Sequence, residues 1–141
     1  MNSKPIGRKL RRTVTERAKG CCEYCKSQQI FAMQNLSVEH IIPIAKKGTN
    51  SSDNLALACQ GCNNYKHTKT QGLDPVTLEI TNLYHPRQQK WEDHFTWNYD
   101  YCEIIGLTPT GRVTVELLKL NREGVVNLRR ILYAAGNHPP L

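Results

Sequence analysis

Four cysteines place the strictest condition on how this chain can fold. Cys22-Glu-Tyr-Cys25 and Cys59-Gln-Gly-Cys62 are two C-x-x-C pairs with 33 residues between them. A tight turn inside each pair lets two thiolates converge on one ion, and Gly61 supplies permissive backbone in the second. Together they predict a tetrahedral Zn²⁺ site whose four ligands leave no vacancy, so the ion holds the fold rather than substrate. Six cysteines also suit a disulfide framework, but that use belongs to secreted chains. The opening MNSKPIGRKLRR has basic residues with no apolar run behind them, so no signal peptide is visible and the expected location is the cytoplasm. Cys21 is a spare that can substitute in ligation. Cys102 stands alone and is expected to be a buried apolar side chain.

Composition makes a metal welcome. At 141 residues, 39% hydrophobic, with two Phe and two Trp, the chain can build only a modest core. Chains so thinly supplied gain stability from a metal or from oligomerisation. No stretch is apolar enough to span a membrane. The formal charge is +7, from 19 Lys and Arg against 12 Asp and Glu. It is concentrated early: residues 1–20 hold seven basic side chains and one acid, Glu16. Such an arm implies a polyanionic partner, nucleic acid before membrane because no lipid-facing amphipathic pattern appears. Arg8, Lys9, Arg11 and Arg12 are its candidate contacts.

Along the chain, Leu10, Val14 and Ala18 fall at i, i+4, i+8 and predict a short helix stopped at Gly20. Residues 1–9 read as flexible. Leu36–Pro43 reads as a strand, 45–53 as a polar loop, and 54–58 as a short strand or turn. A helix is expected from Cys59 or Gln60 to about Thr70. It would set Asn63 and His67 at i, i+4 on one face, with Lys66 beside them in reach of a phosphate oxygen. Glu39 and His40 are neighbours on the strand before the loop, and for both to serve one site the strand must bend or bulge there. A carboxylate and an amide oxygen suit Mg²⁺ or Mn²⁺, and a neutral imidazole is a suitable base. Taken singly, His40 also fits a packed core histidine, and Asn63 a cap or turn residue.

As an ordered set, Cys22-x-x-Cys25, Glu39-His40-Ile-x-Pro43, Gly48, Asn54-Leu55, Cys59-x-x-Cys62-Asn63 and Lys66 resemble the HNH endonuclease family. That resemblance covers about a third of the chain and implies a ββα-metal core. It implies His40 as the general base that activates water and Glu39 as a metal ligand. Asn54 would brace the loop and orient the base, while Asn63 would bind the catalytic cation, with His67 a further ligand. Glu39 stands where Asp is commoner, Gly48-Thr49 where Gly-Gly is usual, and Asn63 in the place of the final histidine.

Beyond residue 71 the expectations are a strand within Val76–Leu83, a hairpin from Phe95-x-Trp97 to Cys102–Leu107, and a helix opened by Thr108-Pro109 and running through Leu120. A second helix over Val125–Ala135 would present Arg129 and Arg130. Trp91, Phe95 and Trp97 are expected in the core. His85, His94 and His138 are expected to be structural or exposed, and Arg87, Lys90, Trp91 and Arg112 are candidates to grip DNA, the alternative being that the aromatics simply fill the tail's core. The tail also resembles an extension on some bacterial HNH proteins, through His85-Pro86-Arg87, Trp91, His94-Phe95, Gly111-Arg112 and His138-Pro139.

The whole reads as an α+β zinc protein: a basic arm and helix over 1–20, an HNH core over 21–71, and an extension over 72–141. The implied activity is metal-dependent hydrolysis of DNA, rather than RNA, phosphodiesters. The alternative is a catalytically inactive, zinc-stabilised nucleic-acid-binding module. Cutting both strands of a duplex takes two sites or two encounters, so a homodimer is among the expected partners.

Overall fold

The computed structural model describes residues 5–140. The expected flexibility of residues 1–4 lies outside them. Gly7 is extended, and the first helix, α1 (Arg8–Arg17), starts directly after it, two residues before Leu10. Val14 is buried, with Leu10 and Ala18 packed beside it, as the four-residue spacing requires. Gly20, at φ +69°, lets the chain turn away. Arg8, Lys9, Arg11 and Arg12 stay exposed. Arg17 instead fastens the helix to the body, donating to the carbonyls of Ser52 and Leu55, both at 3.0 Å.

Strands β1 (Ser37–His40) and β2 (Leu55–Ala58) pair antiparallel, Val38 opposite Leu57 and His40 opposite Leu55. All four residues of β2 are buried. Helix α2 (Gln60–Lys66) follows at once and completes a ββα unit. It ends four residues short of Thr70, because His67 takes φ +50° and turns the chain out of the helix.

The remainder is α+β in the same small pieces. A hairpin of β3 (Gln71–Leu73) and β4 (Ile80–Asn82) leads to α3 (Trp91–His94) and then to a hairpin of β5 (Phe95–Trp97) and β6 (Ile104–Gly106). Helices α4 (Pro109–Leu117) and α5 (Glu123–Ala134) close the chain. Thr108 caps α4 through its hydroxyl, which accepts from the Gly111 amide at 3.0 Å. The helix stops at Leu117 rather than Leu120, and α5 begins at Glu123 rather than Val125. No helix among the described residues is long and apolar enough to cross a membrane.

The strand expected over Val76–Leu83 shrinks to Ile80–Asn82, and Asp74 is the reason. Its carboxylate accepts from the amides of Val76 and Thr77 and from the Thr77 hydroxyl, which folds 74–79 into a turn. Arg112 closes on the same carboxylate with two bonds, at 2.9 and 2.8 Å, and holds it well below the usual carboxylate range. Arg87 is likewise engaged, ion-paired with Glu23.

One buried cluster draws on all three expected segments: Val14 from α1, Cys22, Val38, Leu55 and Cys62 from the ββα region, and Leu83, Trp91, Phe95, Val113 and Leu118 from the extension. Tyr24, Tyr84, Phe95, Trp91 and Trp97 form a chain of ring contacts with centroids 5.1–6.4 Å apart. The expected core placement of Trp91 and Phe95 holds, and Cys102 is buried too.

Arg129 departs from expectation. It is 4% exposed and donates to the carbonyls of Cys102, Cys25 and Leu120 and to the side chain of Asn121. Arg130 alone is presented to solvent. Arg129→Met strands those acceptors in the interior and is expected to cost about 3 kcal/mol of stability. Arg130→Met is expected to stay within about 0.5 kcal/mol of the parent. Urea unfolding of the two variants measures the difference.

Candidate functional site

Each knuckle is built by its own short turn. In the first, the Cys25 amide donates to Cys22 Sγ at 3.5 Å; in the second, the Cys62 amide donates to Cys59 Sγ at 3.5 Å. Cys59 is the N-cap of α2, so the positive end of that helix lies against the sulfurs. Glu23 ties the first knuckle to β2, donating its amide to the Leu57 carbonyl at 2.9 Å and accepting the Leu57 amide on its carboxylate at 2.8 Å.

The four sulfurs of Cys22, Cys25, Cys59 and Cys62 lie within 4.8 Å of one another. Sulfurs at about 2.3 Å from a tetrahedral ion are about 3.8 Å apart, so this cluster fits Zn²⁺. None of the six cysteines is in a disulfide. Cys21 is outside the cluster; its thiol turns to the Lys19 carbonyl at 3.5 Å.

Arg122, between α4 and α5, is a partner that spacing could not reveal. Its guanidinium reaches Cys59 Sγ at 3.2 Å and Cys62 Sγ at 3.6 Å. Burial works against its charge, but the sulfur anions of Cys62, Cys25 and Cys59 outweigh that and hold it above its ordinary range. Gly61 has its explanation here. A Cβ at Gly61 would lie 2.5 Å from an Arg122 nitrogen, so the missing side chain makes room for the guanidinium.

The second constellation gathers at the end of β1. Pairing is regular through His40, with no bulge, and the chain bends at Ile41–Ile42. Three groups hold that bend. Asn54, 7% exposed, accepts the Ile42 amide at 2.9 Å and donates to the carbonyls of Ile42 at 3.0 Å and Thr49 at 2.8 Å. Gly48 fits beneath, where a Cβ would lie 1.7 Å from the Ile42 carbonyl oxygen. Lys66, only 4% exposed, donates its ammonium to the Ile41 carbonyl at 2.7 Å instead of standing ready for a phosphate. Burial pushes that ammonium down to about 8, against the pull of the Glu39 carboxylate.

His40 is half-buried, with Nε2 2.6 Å from Asn50 Oδ1. Because an amide oxygen only accepts, this contact suits the tautomer with the proton on Nε2, in which Nδ1 is the acceptor. Among the described residues Nδ1 has no hydrogen-bond partner. Glu39 accepts the Ser37 hydroxyl at 2.6 Å. Asn63 is half-buried on α2, and His67 is exposed at its C-cap, its Nδ1 3.3 Å from the Thr68 hydroxyl. The expected i, i+4 pair therefore straddles the helix end. Among the described residues, Glu39, His40 and His67 do not form a cluster of three His, Cys, Asp or Glu donors; the four cysteines do.

Residues 22–69 match the family model of the HNH endonuclease, about a third of the chain. The Type IV methyl-directed restriction enzyme EcoKMcrA of Escherichia coli (strain K12) is 24% identical to this chain over 74 residues. The alignment covers 50% of this chain and 27% of that relative, so the chain spans about a quarter of its length.

Two outcomes follow. Cys59→Ser is expected to lose bound zinc and cooperative melting, whereas Cys21→Ser keeps one zinc per chain, as elemental analysis and calorimetry would record. Lys66 has a folded value of about 8 against about 10.4 unfolded, so the folded chain holds fewer protons between those values. Stability of the parent relative to Lys66→Met should therefore rise as pH climbs through that window and be least below it. Urea midpoints of both proteins from pH 7.5 to about 10 check the sign.

Proposed function

We propose that this chain is a metal-dependent endonuclease that hydrolyses DNA phosphodiester bonds, with His40 as general base. The observation that carries it is the 2.6 Å contact between His40 Nε2 and Asn50 Oδ1, in a segment matching the HNH family: the ring is held through one nitrogen, and among the described residues the other, Nδ1, has no partner. In this reading Nδ1 takes the proton of a water as its oxygen attacks phosphorus. Asn50 fixes the ring, while Asn54 and Lys66 fix the backbone at Ile41 and Ile42 that carries it.

Glu39 and Asn63, with His67, would hold the catalytic Mg²⁺ or Mn²⁺. So few protein donors suit a hard cation that takes its remaining ligands from phosphate and water. When bound, the ion neutralises charge on the phosphate and the leaving oxygen. The four-cysteine site holds Zn²⁺ for structure alone, since its sphere is filled. Arg8, Lys9, Arg11 and Arg12 lie exposed along α1 and supply phosphate contacts. The restriction enzyme among its relatives supports DNA as substrate. The place of action is the cytoplasm, and a second copy of the chain serves the second strand.

His40→Ala is expected to keep its zinc and its melting curve while Mg²⁺- or Mn²⁺-dependent nicking of supercoiled plasmid falls at least 100-fold. Nicking by His40→Ala at the parent rate rules out this base, and a parent inert with every divalent cation leaves a binding module.

A further inference from the structure

Beyond the end of β1, two hollows open side by side. One, of ≈ 360 Å³, is lined by Ile42, Lys46, Asn82, His85 and Gln88 among others. The other, of ≈ 210 Å³, has Ile42, His85 and Gln88 in common with it and adds Lys47. The shared residues make them one open trough, with loop 42–49 as one wall and segment 82–88 of the extension as the other.

We propose that this trough takes the stretch of DNA beside the scissile phosphate. Lys46 and Lys47 would lie on phosphates and Asn82 and Gln88 on base edges, so the extension contributes sequence preference. The proposal rests on the nuclease reading and adds to it a substrate-reading surface.

Charge and chemistry differ between the walls. Lys46 and Lys47 are exposed on the core wall, in a chain whose formal charge is +7. Asp53, also lining the smaller hollow, is the acid that faces them. On the opposite wall His85 is kept neutral by burial, which lowers its pKa. Asn82 and Gln88 are exposed there, and among the described residues neither side chain has a hydrogen-bond partner. A primary amide offers a donor and an acceptor together, the combination that reads a base edge in two bonds. Gln89, by contrast, is spent on the His85 amide at 2.8 Å.

Both walls are held rigidly. Ile42, two residues past His40, is clamped at its amide and carbonyl by Asn54. Across the trough, His85 Nδ1 accepts the amides of Arg87 and Gln88, at 3.2 and 3.3 Å, and Arg87 is paired to Glu23 in the first zinc knuckle. The amides that would read bases are therefore set against the strand that carries the base catalyst by a frame of hydrogen bonds and one ion pair.

The test measures binding of fluorescent duplex DNA to the full chain with no divalent cation, so cleavage plays no part. In Lys46→Ala/Lys47→Ala the slope of log K against log salt is expected to fall by about 1–2, with affinity loss uniform across sequences. In Asn82→Ala/Gln88→Ala the slope is expected to hold, while selection from a randomised duplex pool shows a preference at one or two positions weakened roughly 5- to 150-fold. Melting curves confirm that both doubles fold. Parent-like slope and parent-like preference overturn the proposal, as does a parent with no preference to lose. A parent that binds with the expected slopes yet never nicks DNA supports the trough and defeats the nuclease reading. A nicking parent matched in both measurements by its variants does the reverse.

Discussion

Four thiolates crowded within 4.8 Å repel one another, and the structure depends on what answers that repulsion. Zn²⁺ is the first answer, because the donor set fits it and because the chain has too small a core to hold such a cluster by packing alone. The second answer is Arg122, which reaches two of the sulfurs from the far end of the chain. A four-thiolate zinc centre carries a formal charge of −2, so a guanidinium against it removes part of the remaining charge within a buried site. The extension grips the first knuckle residue by residue as well. Arg87 pairs with Glu23, Trp91 donates its indole N–H to the Tyr24 carbonyl at 3.0 Å, and Arg129 donates to the Cys25 carbonyl at 3.2 Å. The extension is thus a clamp on the metal centre, and the ββα unit and the tail share one interior.

That arrangement explains which features were legible beforehand. Knuckle spacing, the β1 and β2 segments, the β5–β6 hairpin and the Thr108-Pro109 helix start are local signals. Each is decided by residues within a few positions, and each survives in the fold. Arginine carries no such signal. Arg87 and Arg112 read as candidates for DNA and Arg129 as presented by its helix, while nothing in the spacing singles out Arg122, yet all four are spent internally. Their partners lie 64, 38, 60 and 104 residues away, at Glu23, Asp74, Cys62 and Cys25. Lys66 misleads in the same way: its place in the helix register is correct, but the register does not tell that Ile41 offers a carbonyl to its ammonium. The surplus positive charge available to a polyanion is therefore smaller than the formal total; Arg8, Lys9, Arg11 and Arg12 on α1 and Lys46 and Lys47 are among the basic side chains left exposed.

The same long-range bonds bear on the strand that carries His40. Two adjacent residues on a regular strand point to opposite faces, and Glu39 and His40 both sit in regular pairing with β2, so the expected bend between them is absent and the chain turns only after both. The turn is at Ile41–Ile42, and nearly every backbone polar group there is engaged: the Ile41 amide by the Asn54 carbonyl, the Ile41 carbonyl by Lys66, and the Ile42 amide and carbonyl by the Asn54 side chain. Burying a lysine to hold one carbonyl is costly in isolation, since desolvation alone lowers its affinity for the proton. A neutral hydrogen-bond donor at that position would hold the carbonyl more cheaply. What a lysine adds is a positive charge near the Glu39 carboxylate. Position and charge together account for a buried ammonium where packing alone would favour an apolar side chain.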